Sequence, residues 1–168
     1  MNLKKLIAGA KGGGFGLWKL NFVLQRGIPF NKPHNIRITS IGDHSVKVKI
    51  PYKRSNLNHI KGIHACGLAT ACEYASGFVL LMQLGSSKYR LIMESLEMKY
   101  HYQAKMGATA AFELGTEALK AQVLDPLKTE EKVYIRCEIP CYDEKGNHVC
   151  TGYTNWQIKA WDKVKTKA

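Results

Sequence analysis

One carboxylate stands out in the sequence because it interrupts a long apolar segment. Residues 62–87 contain a single formal charge, Glu73, among residues that are mostly Ala, Leu, Cys, Phe, Val and Met. A buried carboxylate is costly unless it is paired, protonated or directed into a cavity. Burial would also raise its pKa toward the range that serves acid–base catalysis. Two interpretations stay open: a catalytic group, or a glutamate paired at a subunit interface.

Two polar residues ahead of Glu73 are candidates for the same site. His64 lies nine residues before Glu73, near the expected start of a helix. Backbone N–H groups there lack helical partners and could stabilise a developing oxyanion. Asn58, six residues earlier, could orient a carbonyl or a water. The alternatives are a histidine bonded to backbone at a helix start and an asparagine that caps a loop.

The surrounding elements follow the pattern of an antiparallel sheet. Alternating hydrophobicity predicts two strands before the apolar segment and four after it. The strands are predicted near residues 36–39, 46–50, 92–102, 110–114, 133–141 and 148–161, with a charged connection over 117–131. The apolar segment favours a helix that is apolar on nearly all sides. Together they predict an α+β domain in which one sheet curls around a central helix.

A membrane span is the alternative for residues 62–87, because the segment is long enough to cross a bilayer. A carboxylate at the bilayer centre costs about 3 kcal/mol on insertion scales. Glu73 would lie near that centre, and predicted strands flank the segment on both sides. We therefore favour a buried helix.

The charge of the chain is concentrated in its first third. The 168 residues carry a net charge of +12, of which +11 belongs to residues 1–61, where Asp43 is the single acid. Such a balance indicates an anionic partner or a solvated basic face. The later lysines form no clustered stripe, so nucleic acid is not a predicted partner. Sequence motifs of phosphate loops, dinucleotide folds, zinc proteases and serine hydrolases are also missing from the sequence.

The cysteines indicate a reducing compartment. Their number is odd and no two have the close spacing of a zinc site. They are Cys66, Cys72, Cys137, Cys141 and Cys150. We expect all five to be reduced and mostly structural, which predicts a cytoplasmic protein without a metal site.

The N-terminal segment combines apolar and basic residues. Its apolar stretch ends at Lys11, too early for a signal peptide, and Gly12–Gly14 should interrupt any helix. Residues 2–26 are thus a basic amphipathic segment that contacts a membrane, its own domain or a subunit partner. We predict an N-terminal extension over 1–30, a domain over 31–161 and a basic tail over 162–168.

The stretch from Asn58 to Glu73 resembles the hotdog-fold acyl-CoA thioesterases, in particular the phenylacetate-degradation type. That group has an Asn, then His-Gly-Gly six residues later, then an acidic residue nine beyond the His. Asn58, His64 and Glu73 match these positions in register. The order of strands and helix matches over about residues 30–161, and residues 28–31 resemble an uncharacterised thioesterase-like branch of the superfamily.

The resemblance implies a hotdog fold of five to six strands around the central helix. It implies a homodimer or homotetramer whose sheets pair edge to edge, with active sites between subunits. Glu73 would be the general base or nucleophile, with Asn58 placing water or substrate. The N–H groups of Ala65 and Cys66, just after His64, would form the oxyanion site. Basic residues would hold the phosphates of coenzyme A, which is part of the substrate and not a cofactor.

Two alternatives to hydrolysis remain within the same fold. Ala65 and Cys66 replace the Gly-Gly pair of the motif, which motivates a non-catalytic acyl-CoA-binding or lipid-binding module. Hotdog hydratases and dehydratases pair a His with an acid 14 residues later, the spacing of His59 and Glu73. Those enzymes also carry prolines and a Pro-Gly between the two residues, and this sequence has none there. The sequence therefore favours a thioester hydrolase.

Overall fold

The computed structural model describes residues 3–165, and within this range the chain forms one β-sheet and five α-helices. The α-helices are Leu3–Ala10 (α1), Gly14–Gly27 (α2), Asn31–His34 (α3), Ala65–Leu84 (α4) and Thr116–Leu119 (α5). The strands are Arg37–Ile41 (β1), Ser45–Ile50 (β2), Tyr89–Tyr100 (β3), Ala108–Glu113 (β4), Lys132–Asp143 (β5) and His148–Ala160 (β6). Short helical turns cover residues 54–56, 120–124, 126–128 and 161–163.

The six strands form a fully antiparallel sheet in the order β1-β2-β4-β5-β6-β3. Alternate side chains of each strand face the core, as the sequence pattern predicts. In β2 these are Val46, Val48 and Ile50, all buried, and β5 alternates in the same way from Val133 to Asp143. The predicted α+β sheet of six strands is confirmed.

Helix α4 lies in the concave side of the sheet and packs against β2, β3, β4, β5 and β6. Its buried residues point in several directions because the curled sheet covers much of its circumference. By length and composition α4 could cross a membrane, but half of that apolar window is buried within the fold, as in the core helix of a soluble protein. The predicted central helix is confirmed, with ends at Ala65 and Leu84.

One side of α4 is left uncovered by the sheet. Cys66, Thr70, Glu73, Gly77 and Leu81 follow each other at intervals of three or four residues and are exposed or partly exposed. This spacing places them on one face of the helix. We refer to this set as the open stripe.

The N-terminal extension is helical, as predicted, and the glycines at 12–14 separate α1 from α2. Gly13 and Gly14 have φ angles of 73° and 53°, a conformation that glycine adopts readily. Helix α2 packs beside β1, where the Asn21 amide accepts from the Ile38 N–H (2.9 Å) and donates to the Ile38 carbonyl (2.8 Å). Asn21 thereby covers part of one edge of the sheet, whereas β3 at the other edge pairs, within residues 3–165, with β6 alone.

The charged connection predicted over 117–131 is helical for much of its length, with α5 and two further helical turns. Leu119 and Val123 lie four residues apart and are both buried, which stabilises a helical path. Residues 1 and 2 of the predicted extension and residues 166–168 of the predicted tail lie outside the described residues. The proposed division into extension, domain and tail stays a prediction.

Candidate active site

Glu73 lies in the middle of the open stripe, with its carboxylate partly buried. It forms no side-chain hydrogen bond or ion pair with any of residues 3–165. Burial raises the pKa of the Glu73 carboxyl above its usual range, and no neighbouring cation opposes this effect. A carboxylate kept without a partner at the centre of a fold is suited to accept a proton from a bound water or to attack a carbonyl.

The wall beside Glu73 is formed by Trp156 of β6. The indole N–H of Trp156 donates to the hydroxyls of Ser76 (3.1 Å) and Thr154 (3.0 Å), and those hydroxyls are 2.9 Å apart. Gly77 makes room for the ring, because a Cβ there would lie 2.8 Å from Trp156 Cζ2 and 3.8 Å from Glu73 Oε1. The carboxylate therefore lies near a fixed aromatic wall.

His64 caps the start of α4. Its Nδ1 accepts a hydrogen bond from the Cys66 N–H (3.2 Å), and the Gly67 N–H donates to the His64 carbonyl (2.9 Å). Nδ1 must be unprotonated to accept, so a neutral ring carries its proton on Nε2. The Ala65 N–H makes no hydrogen bond with another described residue. Of the two N–H groups expected to hold an oxyanion, one is thus engaged and one is open.

Asn58 organises the loop that leads into α4. Its side-chain oxygen accepts from the N–H groups of Ile60 (3.1 Å) and Gly62 (3.0 Å), so its amide NH₂ is the end left for other contacts. Lys61 in the same loop has a φ angle of 57°, and this turn is held by the Lys61 N–H donating to the Asn58 carbonyl (3.0 Å). Asn58 therefore has the loop-capping geometry, with its donor end unoccupied by residues 3–165.

Two cavities flank the start of α4. A cavity of about 210 Å³ is lined by His64, Cys66 and Thr70 together with Phe30 and His34 of the N-terminal extension. Two members of the open stripe, Cys66 and Thr70, are among its lining residues. It is enclosed partly by apolar groups, which suits an acyl chain or another slender apolar group.

The second cavity, of about 350 Å³, contains Asn58, Ala65 and Tyr100. The Tyr100 hydroxyl donates to the Ala65 carbonyl (3.1 Å) and fixes that wall. Within one chain the structure therefore brings His64 and Cys66 to one cavity and Asn58 and Ala65 to the other. Glu73 lines neither of these two cavities.

Several residues at the site are not part of the motif formed by Asn58, His64 and Glu73. Thr70 lies one turn before Glu73 and donates its hydroxyl to the Cys66 carbonyl (2.8 Å). Buried Asn56 holds the loop before α4, since its NH₂ donates to the carbonyls of His34 (2.9 Å) and Pro51 (2.8 Å). Helical spacing from Glu73 would have identified Thr70, whereas the contacts of Asn56 depend on the tertiary fold. His59 is exposed in the loop before α4.

The cysteines show no sign of a redox or metal centre. All five are free thiols, and only Cys66 is exposed. Burial raises the pKa of the Cys137 thiol to about 11, which keeps it protonated and unreactive. Among residues 3–165, no three His, Cys, Asp or Glu side chains come together as a metal site.

A six-stranded antiparallel sheet wrapped around one long helix defines the hotdog fold, and solved structures agree. A protein of unknown function from Pseudomonas aeruginosa, called a probable thioesterase, matches with a TM-score of 0.77 at 20% identity over 83% of this chain and 93% of its own. A protein of unknown function from Chlorobaculum tepidum matches with a TM-score of 0.71 at 15% identity, over 84% and 92%. A thioesterase from Haemophilus influenzae matches with a TM-score of 0.66 at 12% identity, over 88% and 92%.

These likenesses show the hotdog fold, which is the fold that the sequence resemblance implies. Residues 16–158 match the family described as a domain of unknown function, DUF4442, and the chain belongs to that family. No curated protein matches the sequence.

Proposed function

We propose that this protein hydrolyses an acyl-CoA or a similar acyl thioester, with the carboxylate of Glu73 as general base or nucleophile. The observation that carries the proposal is the state of Glu73: it is partly buried on the central helix without an ion pair or hydrogen bond to residues 3–165, and its pKa is raised by burial. A structural role would require a partner to offset the cost of burial.

The chemistry follows from the groups around the open stripe. As a base, Glu73 takes a proton from water while the water oxygen attacks the thioester carbonyl. Within one chain Ala65 and Glu73 lie eight helix residues, about 12 Å, apart. The oxyanion that forms is therefore stabilised by the open Ala65 N–H of the other subunit, at the positive end of its α4. The intermediate then expels the thiolate, which receives the proton from Glu73, so that water and thioester yield acid and thiol. As a nucleophile, Glu73 would instead form an anhydride that water cleaves.

The wider features fit a coenzyme A thioester. The basic first third of the chain offers cations for the phosphates of coenzyme A. The free edge of β3 offers the surface for edge-to-edge pairing, which supports a homodimer or homotetramer with active sites between subunits. Asn58 and Glu73 would then meet across that interface. The free thiols fit a cytoplasmic location.

The second candidate is a module that binds acyl-CoA or lipid without turnover. It is favoured by one observation, the hydrogen bond from the Cys66 N–H to His64, which removes one of the two N–H groups expected in the oxyanion site. Tight binding of acyl-CoA without release of thiol would support this candidate.

The test is release of free thiol from a panel of short, medium, long and aromatic acyl-CoAs. Glu73→Gln keeps the shape of the side chain and removes the base, so hydrolysis should fall about 10²–10⁴-fold. Glu113→Gln, an exposed glutamate on β4, is the matched control and should behave as the wild type. Full turnover by Glu73→Gln would refute the proposed role of Glu73, and no turnover by the wild type across the panel would favour the binding module.

A single turnover in heavy-oxygen water tests the nucleophilic role of Glu73. Label in the Glu73 carboxylate shows that water has cleaved an anhydride at the enzyme carbonyl, an intermediate that a general base does not form. The label is located by mass spectrometry of the peptide that contains Glu73.

A further inference from the structure

Helix α2 is apolar on two opposite faces. Leu20 and Leu24 lie four residues apart and are buried against the rest of the fold. Phe15, Trp18 and Phe22, at intervals of three and four, share the opposite face. An ordinary surface helix presents a polar outer face, so this second apolar face requires an explanation.

The aromatic face is firmly held in its outward orientation. Leu20 has no exposed surface, and the two hydrogen bonds between Asn21 and Ile38 tie the same side of α2 to β1. Rotation of the helix to hide its aromatic residues would break both bonds and expose the two buried leucines. The outward face is therefore built into the fold.

The three aromatic rings form a continuous exposed ladder. Phe15, Trp18 and Phe22 are 76%, 59% and 45% exposed, and neighbouring rings stack with centroids 5.5 and 5.4 Å apart. The guanidinium of Arg26 lies 3.7 Å from the centroid of Phe22, which extends the ladder with a cation. Lys19 lies four residues after Phe15 on the same face and is exposed.

A groove of about 440 Å³ runs between the ladder and β1. Trp18 and Phe22 line one side, and Arg37, an exposed residue of β1, lines the other. Neither Lys19, Arg26 nor Arg37 forms an ion pair with an acid among residues 3–165. The surface thus combines aromatic rings with cations whose charges are not neutralised by the chain.

The positive charge of this surface favours one kind of binding partner over another. A second copy of this surface would bring like charges together, which is unfavourable. The surface of an anionic bilayer offers phosphates for the cations and an interfacial region in which Trp and Phe are favoured. Aromatic residues on one helix face with Lys and Arg beside them are typical of helices that lie in that interface.

We propose that the outer face of α2 docks the protein on the surface of an anionic phospholipid bilayer. Phe15, Trp18 and Phe22 enter the interfacial region, while Lys19, Arg26 and Arg37 contact lipid phosphates. This places the predicted membrane contact of residues 2–26 on one face of α2, and it does not depend on thioester hydrolysis.

Co-sedimentation of the full chain with vesicles tests the proposal. The wild type should sediment with vesicles that contain phosphatidylserine, less with phosphatidylcholine alone, and less as salt is raised. Lys19→Gln and Arg26→Gln should each weaken binding to the anionic vesicles about fivefold. The double variant Trp18→Ser, Phe22→Ser should abolish sedimentation, and its exposed positions leave the core intact.

A matched pair on the outer face of the sheet provides the control. Lys132 lies 5.3 Å from the ring of exposed Tyr134 on β5, so it also combines an aromatic ring with a cation. Lys132→Gln and Tyr134→Ser should bind vesicles as the wild type does. Tryptophan emission should shift to the blue on binding, and a Trp18→Phe variant should lose that shift.

Four outcomes would overturn the proposal. The first is no sedimentation of the wild type with anionic vesicles. The second is an equal loss of vesicle binding in the aromatic variant and in the control variants. The third is self-association of the wild type that grows with protein concentration, is abolished by the double variant Trp18→Ser, Phe22→Ser, and occurs without vesicle binding. That result would identify a second copy of the chain as the occupant. The fourth is capture of random oligonucleotides through the same residues without vesicle binding.

Discussion

Replacing Glu73 by Gln should stabilise the folded protein at neutral pH while it removes hydrolysis. Burial raises the pKa of Glu73 in the folded state, so the folded chain binds this proton more tightly than the unfolded chain does. The stability contributed by Glu73 is therefore greatest below its unfolded pKa and is lost as the pH rises through its folded pKa. Gln does not titrate and escapes this loss.

The size of the effect follows from the difference in proton affinity between the two states. Each tenfold difference corresponds to about 1.4 kcal/mol of unfolding free energy at neutral pH. For a chain of this length, 1 kcal/mol moves the melting temperature by about 2–4 °C. No ion pair or hydrogen bond within residues 3–165 offsets the cost, so Glu73→Gln should melt at a higher temperature than the wild type at neutral pH.

The assay is thermal unfolding of both proteins from acidic to neutral pH. The advantage of Glu73→Gln should be small at acidic pH and grow as the pH approaches neutrality. Glu113→Gln, an exposed control, should change unfolding by less than about 0.5 kcal/mol at every pH. If Glu73→Gln is no more stable than the wild type at neutral pH, Glu73 has a partner in solution and the reasoning from an unpaired carboxylate is refuted.

Three further substitutions test the packing around the site and in the N-terminal extension. Gly77→Ala would place a Cβ 2.8 Å from Trp156 and should destabilise the protein by about 1 kcal/mol net, since overpacking costs more than the helix gains. Gly9→Ala, with open space around it, should instead be neutral or stabilising by up to about 1 kcal/mol, both measured by urea unfolding. Asn21→Ala loses both hydrogen bonds to Ile38 and should cost about 1–2 kcal/mol. The same variant should speed hydrogen exchange of the Ile38 amide, and unchanged exchange would contradict the assigned contact.

The sequence was a good guide to which residues face the core. Alternation at Val46, Val48 and Ile50 predicts one buried strand face, and the low polarity of residues 62–87 predicts the central helix; both are confirmed. The order of the strands in the sheet could not be predicted in this way. Alternation determines which way a side chain points and carries no information about which strand lies beside it, so the neighbour pairs come from the tertiary structure.

The candidate site was predicted less completely. The isolated charge of Glu73 was visible in the sequence, because a carboxylate among apolar residues needs no structure to be noticed. The contact between Trp156 and Ser76 was not, since it joins residues 80 positions apart. The hydrogen bond from the Cys66 N–H depends on the rotamer of His64, which no spacing rule determines. The roles of the site residues stay predictions.

The helical turns within 117–131 show how a local signal was missed. The sequence predicts only a charged connection here, although Leu119 and Val123 have the spacing of one helical face. Their burial stabilises two short turns before the proline. A pair of apolar residues four apart predicts a helical face even with the charged Lys120 between them.

The two edges of the sheet differ in a way that limits growth of an assembly. At the β1 edge, an added strand would have to displace Asn21 from both backbone groups of Ile38. The β3 edge has β6 on one side and, among the described residues, no strand on the other. A sheet with one edge free to pair can add one further sheet at that edge. The two edges that remain in the joined pair are then both β1 edges, which Asn21 covers. If the proposed edge-to-edge pairing occurs, it would therefore be self-terminating: it would stop at two chains and would not propagate into a fibre.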